Sequence, residues 1–190
     1  MSLKQYHERR NFRKTAEPKG TVRKRPSRKL RFVVHKHDAS RLHYDLRLEM
    51  EGVLKSWAVP KGPSLNPAEK RLAVMVEDHP LDYRDFEGVI PKPEYGAGTV
   101  MIWDQGTYEV ADEHPGPEAL ARGTLKFNLF GKKLRGGWVL VRTRWRGENK
   151  NWLLIKEKDD AATARGDILK QQPDSARTGR TMEEIAAAAD

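Results

Sequence analysis

The apolar and polar positions of this chain follow the period of strands more than of helices. From Leu42 the alternation is strict. Leu42, Tyr44, Leu46, Leu48 and Met50 fall on one face, and His43, Asp45, Arg47 and Glu49 on the other. The preceding stretch, 31–37, reads as a strand joined to the next by Asp38-Ala39-Ser40-Arg41. Glu51-Gly52 is a two-residue turn into a strand over 53–59, so this region predicts a hairpin. Pro60-Lys61-Gly62-Pro63-Ser64 then breaks the sheet. Residues 72–77 are almost wholly apolar, as in a buried strand. A strand over 99–103 is predicted to turn at Gln105-Gly106 into another over 107–110. A short helix within 117–121 ends at Gly123, and strands follow over 124–130, 137–145 and 151–157. Thr181-Met182-Glu183-Glu184 is a capping box ahead of an alanine-rich helix. Short strands separated by frequent turn signals, with no internal repeat, predict a mainly β fold, a compact β-barrel or sandwich with short flanking helices.

Charge adds an organisation that the pattern lacks. The net charge is +9 over 190 residues, unevenly spread. Residues 1–31 hold twelve Lys or Arg against only Glu8 and Glu17, and residues 122–158 hold eleven against two. Between them, residues 32–121 hold nine against sixteen acids. Two basic blocks flanking an acidic middle attract a polyanion such as nucleic acid. The first block lacks hydrophobic periodicity and contains Pro18, Gly20 and Pro26, so it reads as a flexible basic N-terminal arm that Tyr6 and Phe12 could dock. The expected organisation is an arm over 1–31, a catalytic β-barrel over 32–158 and a helical tail or linker over 159–190. In the second basic block, Arg142 and Arg144 share a strand face, and Lys132, Lys133 and Arg135 sit in the turn before it. Together they form a stripe suited to a phosphate backbone.

No stretch approaches the ~20 apolar residues of a membrane span, and the charged N-terminus lacks a signal peptide's apolar segment. The chain has no cysteine, which removes disulfides and thiolate ligands. A cytoplasmic protein is expected, with any metal held by His, Asp or Glu.

The densest chemistry lies in 37–49. His43, Asp45 and Arg47 stand in a row on one strand face, and His37 can fold back onto them across the short connection. A merely solvated face would carry Lys, Thr or Glu. Two imidazoles and a carboxylate suit a divalent transition metal, and an adjacent guanidinium suits a phosphate. Three protein ligands leave open positions, as in catalytic sites. His79, in the loop after the apolar strand, could orient a phosphate or protonate a leaving oxygen. Metal-assisted phosphoester hydrolysis on nucleic acid follows. Two rival readings use the same letters. His43-x-Asp45 is also part of the facial triad of non-haem iron oxygenases, with His114 as the distant histidine. A DNA-binding β domain with a structural metal is the other. Glu94-Tyr95-Gly96-Ala97-Gly98 is a tight turn, since neither a helix pattern nor Gly-Lys-Ser/Thr follows it.

At this point several motifs resemble those of one family. His37-Asp38-Ala39-Ser40-Arg41-Leu42-His43-Tyr44-Asp45-Leu46-Arg47-Leu48-Glu49 resembles the signature of the 3′-phosphoesterase domain of bacterial DNA ligase D. The stretches 54–63, 77–83 and 94–100, with Trp103-Asp104, are similar to its further motifs, in the same order. The resemblance spans Tyr6 to about Ile185. It implies a compact β-barrel and a Mn²⁺-dependent enzyme of non-homologous end joining; Zn²⁺ or Co²⁺ are further metals such a donor set would accept. The implied substrate is a DNA primer–template. A terminal ribonucleotide is removed first, leaving a 3′-phosphate, which is then hydrolysed to a 3′-OH. By the same resemblance His37, His43 and Asp45 would hold the metal, and Arg47, His79 and Tyr83 would engage the scissile phosphate. Lys61, Arg71 and Glu77 would support them. Asn11 stands where the family typically has Asp; that Asp and the acid matching Glu17 are associated with ribonucleotide removal. Pro93 stands where the family usually has Gly. The stretch 178–185 resembles the linker toward a ligase domain. The implied partners are ligase and polymerase domains or proteins of end joining, with the chain itself a monomer.

Overall fold

The structure is a computed structural model that describes residues 2–23, 29–143 and 149–189. Its ten strands are β1 (Arg31–Asp38), β2 (Leu42–Met50), β3 (Val53–Val59), β4 (Arg71–Met75), β5 (His79–Pro80), β6 (Gly88–Ile90), β7 (Gly98–Val110), β8 (Thr124–Gly131), β9 (Arg135–Arg142) and β10 (Asn151–Lys156). Eight of them run antiparallel in the order β1-β2-β3-β4-β10-β9-β8-β7, and pairing of β7 back onto β1 closes the barrel. The two short strands lie off this ring: β5 pairs with β3 and β6 with β7. The helices are short: α1 (Lys4–Glu8), α2 (Gly116–Arg122), α3 (Ile168–Gln171) and α4 (Met182–Ala187). None of them is long and apolar enough to cross a membrane. The mainly β architecture is the one that the strand period predicts, and of the barrel and sandwich it left open, the closed barrel is the one that forms, as the resemblance implies.

The barrel interior is filled. Trp57, Trp103, Trp138 and Trp152 are fully buried there, among Leu46, Leu48, Phe127 and Leu140. The void left among Val34, Tyr44, Leu46, Leu129 and their neighbours is only about 10 Å³, too small for a ligand. A second apolar cluster lies outside the wall: Leu3, Tyr6, Val53, Leu54, Leu81, Tyr83, Phe86, Ile90 and Val100. It unites α1, the 3₁₀ turn Leu81–Asp85 and β6 into a layer over β1, β2 and β3. The face of β2 bearing Asp45, Arg47 and Glu49 is thus buried between two layers, and only Leu42 and His43 at its start are open. The alternation assigns the two faces of β2 correctly, but both are covered.

Several expectations are corrected. The N-terminal segment is not an extended arm over the stretch described. Leu3 and Tyr6 are buried, the Tyr6 hydroxyl donates to Pro18 O at 2.6 Å, and Arg23 N donates to Gly52 O at 3.1 Å. Tyr6 and Phe12, the two aromatics expected to dock the segment, both pack in the outer apolar cluster. Gln105-Gly106 is not a turn, because β7 runs unbroken through both residues. Gly106 serves close approach instead: a Cβ there would sit 2.2 Å from Phe130 O on the paired strand. β9 ends at Arg142, and Arg144 lies outside the described residues. The tail packs on the barrel: Ile168 and Ile185 join its core, and Trp103 Nε1 donates to Gln172 O at 2.8 Å. The capping box forms as read, and Gly123 closes α2 in the left-handed conformation.

One buried carboxylate organises the β8–β9 turn. Asp104 accepts the backbone N–H of Gln105, Lys132, Lys133 and Leu134 at 2.8–3.1 Å and has no exposed surface. Asp104→Ala strands these donors and is expected to cost roughly 3 kcal/mol. At this chain length that lowers Tm by roughly 6–12 °C, measurable by circular dichroism.

Candidate active site

The register of β1 on β2 sets His37 opposite His43 and His35 opposite Asp45, so all four side chains share one face. The His37 and His43 rings lie with centroids 4.9 Å apart. Each ring is oriented by a carbonyl. His37 Nε2 donates to Gly96 O at 2.8 Å, and His43 Nδ1 donates to Arg41 O at 2.9 Å. These bonds leave one lone pair on each ring, and both face Asp45. His37 Nδ1 lies 3.8 Å from Asp45 Oδ2, and His43 Nε2 lies 3.6 Å from Oδ1. Tetrahedral bonds of ~2.1 Å place donor atoms roughly 3.4 Å apart, so modest closure around a cation completes the geometry. One ligand atom from each residue lies within 4.8 Å of the others, and among the described residues this is the one such group. His114 is not part of it; its Nδ1 lies 3.7 Å from Glu118 Oε1, so it is not the distant ligand that the oxygenase reading assigned to it. Among the described residues no fourth protein ligand closes the group, as a structural metal would need.

Arg47 is buried beside the trio, and each of its three guanidinium nitrogens is anchored. Nη2 donates to Asp45 Oδ2 at 3.0 Å, Nε to His35 Nδ1 at 3.2 Å and Nη1 to Ser56 Oγ at 2.8 Å. The guanidinium carbon stands 4.9 Å from the centre of the Tyr83 ring. Burial alone would raise the Asp45 carboxyl. Arg47 above all, then His37 and His43, outweigh it and hold the group well below the usual carboxylate range. His79 packs next to Arg47, donating from Nδ1 to Glu77 O at 2.9 Å and accepting at Nε2 from Arg10 Nη2 at 3.2 Å. Burial and then the Arg47 and Arg10 cations push His79 well down, so its ring is neutral. Burial, reinforced by Glu17, pushes the Tyr83 phenol well up and keeps its proton on.

The third wall comes from the N-terminal segment. Arg10 is held by Glu17 Oε1 at 2.8 Å and Glu77 Oε1 at 3.2 Å, and lies over the Tyr6 ring at 4.0 Å. Arg9 bridges Glu77 Oε2 at 2.9 Å and the Tyr95 hydroxyl at 3.0 Å. A cleft of about 320 Å³ opens between these walls, lined by His37, His43, Asp45, Arg47, Glu77, His79 and Tyr83 together with Arg10 and Tyr95. Sequence reasoning did not single out Arg10 or Tyr95. The available signal was Glu17, an acid isolated in a basic run, because a buried acid needs a basic partner.

Other expected site residues lie elsewhere. Lys61 is exposed and outside the cleft. Arg71 donates to Lys61 O at 3.2 Å and pairs with Glu69 at 2.6 Å, lining a separate pocket with Gly166 and Ile168. Asn11 faces solvent, its Oδ1 accepting Arg13 N at 3.2 Å. The basic stripe is not a free run of cations. Lys132 Nζ donates to Ala176 O at 2.5 Å, and Lys133 Nζ to Gln172 O at 3.0 Å and to Asp174 O. Arg135 Nε donates to Gly131 O at 3.2 Å, and Arg142 Nη2 to Ala121 O at 2.9 Å.

The profile of the DNA ligase D 3′-phosphoesterase domain matches residues 35–142, which contain the whole metal-type trio, Arg47, His79 and Tyr83. The chain belongs to that family. It is 55% identical over 183 residues, 95% of its length, to the multifunctional non-homologous end joining protein LigD of Pseudomonas aeruginosa, of which it covers 22%. To the LigD protein of Mycolicibacterium smegmatis it is 44% identical over 162 residues, covering 83% of this chain and 21% of that one. To that of Mycobacterium tuberculosis it is 45% identical over 146 residues, 75% of this chain and 19% of the relative. The chain thus spans about a fifth of the length of these relatives.

The donor set itself can be tested without a substrate. His43→Ala removes one of three donors and is expected to weaken Mn²⁺ binding at least ~100-fold by isothermal titration calorimetry. Lys61→Ala, outside the cleft, is expected to leave the titration unchanged.

Proposed function

We propose that this domain hydrolyses phosphoesters at DNA 3′ ends in non-homologous end joining, with Mn²⁺ held by His37, His43 and Asp45. One observation carries the reading. Two imidazole lone pairs and a carboxylate converge in an open cleft, directly beside a buried arginine. Family membership and the relatives' names supply the substrate class and the repair pathway.

The cation, once bound, supplies Lewis acidity to a phosphoryl oxygen of the substrate. The rest of the chemistry falls to the chain. Arg47, anchored by Asp45, His35 and Ser56, needs no reorganisation to meet the charge that grows on the phosphoryl oxygens. Arg10 adds a second guanidinium on the opposite side of His79. A phosphate dianion entering between them favours the protonated imidazole, so His79 can hold the phosphate and return a proton to the departing 3′ oxygen. Tyr83 keeps its proton and offers a hydroxyl to the same group. Water adds to phosphorus, the P–O3′ bond breaks, and the proton ends on the 3′-OH. For a 3′-ribonucleotide the same cleft would cut the diester first: water adds to phosphorus, the P–O5′ bond breaks and the ribonucleoside leaves with the proton on its 5′-OH, so the 3′-phosphate remains for the second step. Glu17 serves that step through Arg10, which it holds. Asn11, on the surface, offers no ionisable group to it. Ligase and polymerase modules of end joining are the proposed partners, and the product 3′-OH is what they require.

The decisive assay supplies Mn²⁺ and a primer–template ending in a 3′-phosphate. Release of inorganic phosphate is expected; unchanged primer with Mn²⁺, Zn²⁺ and Co²⁺ alike would overturn the proposal. Arg47→Lys keeps the charge but loses the planar fork, so kcat is expected to fall at least ~100-fold. Glu17→Ala leaves Arg10 with one carboxylate fewer. It is expected to slow removal of a 3′-ribonucleotide at least ~10-fold, and removal of a 3′-phosphate less, as read on labelled primers resolved by electrophoresis.

A further inference from the structure

Tyr95 stands apart from the other aromatic side chains around the cleft. Tyr6 and Tyr83 are buried at 0% and 2% exposure, whereas Tyr95 keeps 49% of its surface open while lining the same cleft. It is also fixed in place. Its hydroxyl accepts from Arg9 Nη1 at 3.0 Å, and Arg9 is anchored in turn on the buried Glu77 at 2.9 Å. Its loop is pinned by Glu94 N to Pro91 O and Ala97 N to Glu94 O, both at 3.0 Å. The next residue, Gly96, gives its carbonyl to His37 Nε2 at 2.8 Å, so the Tyr95 backbone adjoins a residue in direct contact with the metal trio. The loop then presses on β1: a Cβ at Gly98 would lie 2.1 Å from Asp38 O. The Arg9 and Arg10 guanidiniums lie 5.2 and 5.5 Å from the Tyr95 ring centre.

We propose that Tyr95, braced by Arg9, is the stacking platform for the nucleobase of the terminal nucleoside, a base-binding subsite beside the phosphate cleft. The inference rests on the phosphoesterase reading and deepens it. A phosphate held beside Arg47 carries a nucleoside whose base must leave the cleft past its rim, and Tyr95 is the aromatic exposed there. A rigid, half-open ring with neighbouring cations offers a π face to any base, and such stacking is tolerant of sequence. That tolerance suits an enzyme meeting ends of every sequence. The platform binds and positions; it takes no part in bond breaking.

Steady-state kinetics with Mn²⁺ and a 3′-phosphate primer test it. Tyr95→Ala is expected to raise KM roughly tenfold with kcat within about twofold of wild type, as loss of one base stack implies. Tyr95→Phe and Tyr95→Trp, which keep a ring, are expected to stay within about twofold in KM. On a primer whose terminal nucleoside lacks its base, wild type is expected to show the raised KM of Tyr95→Ala, and the variant no further rise. Equal KM for wild type and Tyr95→Ala on the normal primer overturns the platform. So does a loss in Tyr95→Phe matching that in Tyr95→Ala, which would assign the effect to the hydroxyl that holds Arg9. A turnover-independent measurement separates this inference from the reading beneath it. With 2-aminopurine as the terminal base, binding to wild type is expected to quench its fluorescence, and binding to Tyr95→Ala is not. Quenching without phosphate release keeps the platform and removes the phosphoesterase. Phosphate release with equal quenching in both proteins does the reverse.

Discussion

The Asp45–Arg47 pair governs this structure. Two residues apart on a strand, the two side chains must emerge on the same face. Both are buried, so neither charge can rely on water. Removing two charges from solvent is costly unless every donor and lone pair is matched. The matching is visible: Arg47 reaches Asp45, His35 and Ser56 with three different nitrogens, and Asp45 faces two imidazoles on its remaining side. His35 and Ser56 come from the strands on either side of β2, so registers on both flanks are tied to one guanidinium. A one-residue slip of either partner strand would turn these groups away from the cleft. The active-site geometry and the local sheet register are therefore the same fact.

A buried charged face also explains why this barrel has a second apolar layer. Leaving Asp45 and Arg47 open to water would weaken their field; covering them with apolar side chains alone would leave His79 and Arg10 without purpose. The layer does both jobs. Tyr6, Leu81, Tyr83 and Phe86 exclude water, while Arg10, Glu17 and Glu77 form a tier of alternating charge behind His79. From the trio outward the order is carboxylate, guanidinium, neutral imidazole, guanidinium and paired carboxylates. The two cations of the cleft are each already paired with carboxylates, Arg47 with Asp45 and Arg10 with Glu17 and Glu77, which is an electrostatic arrangement set before any ligand arrives.

The part of this readable from sequence was the part written at short range. The period of two along β2, the Glu51-Gly52 turn and the capping box at Thr181 each depend on residues a few positions apart, and each forms as read. The trio was legible because His37, His43 and Asp45 lie on adjacent strands joined by three residues. What escaped was long-range. Arg10 meets Glu77 across sixty-seven positions and His79 across sixty-nine, and nothing local to residue 10 reports either partner. Lys132 and Lys133 look like surface cations because the carbonyls that receive them lie 39 or more residues away, in the tail. Gly106 shows the same limit in reverse. A glycine beside a polar residue signals a turn locally, yet its role here is set by the strand opposite.

The location of the chemistry on the outer wall follows from the filling of the inner one. An eight-stranded barrel has room inside only for side chains or for one small ligand, and four tryptophans take that room here. The substrate proposed here, a DNA end, would have to be met from outside. An outer wall alone is too flat and too wet to shift the charge of Asp45 or keep His79 neutral, so the cleft needs walls that the barrel does not supply. The N-terminal segment and the loops around β5 and β6 supply them, at the cost of long-range contacts such as Arg10 with Glu77. Arg10 is thus part of the fold and part of the site at once. Loosening the first turns of this chain would reach the phosphate cleft before it reached the barrel, because the barrel closes on β1 and β7 without them.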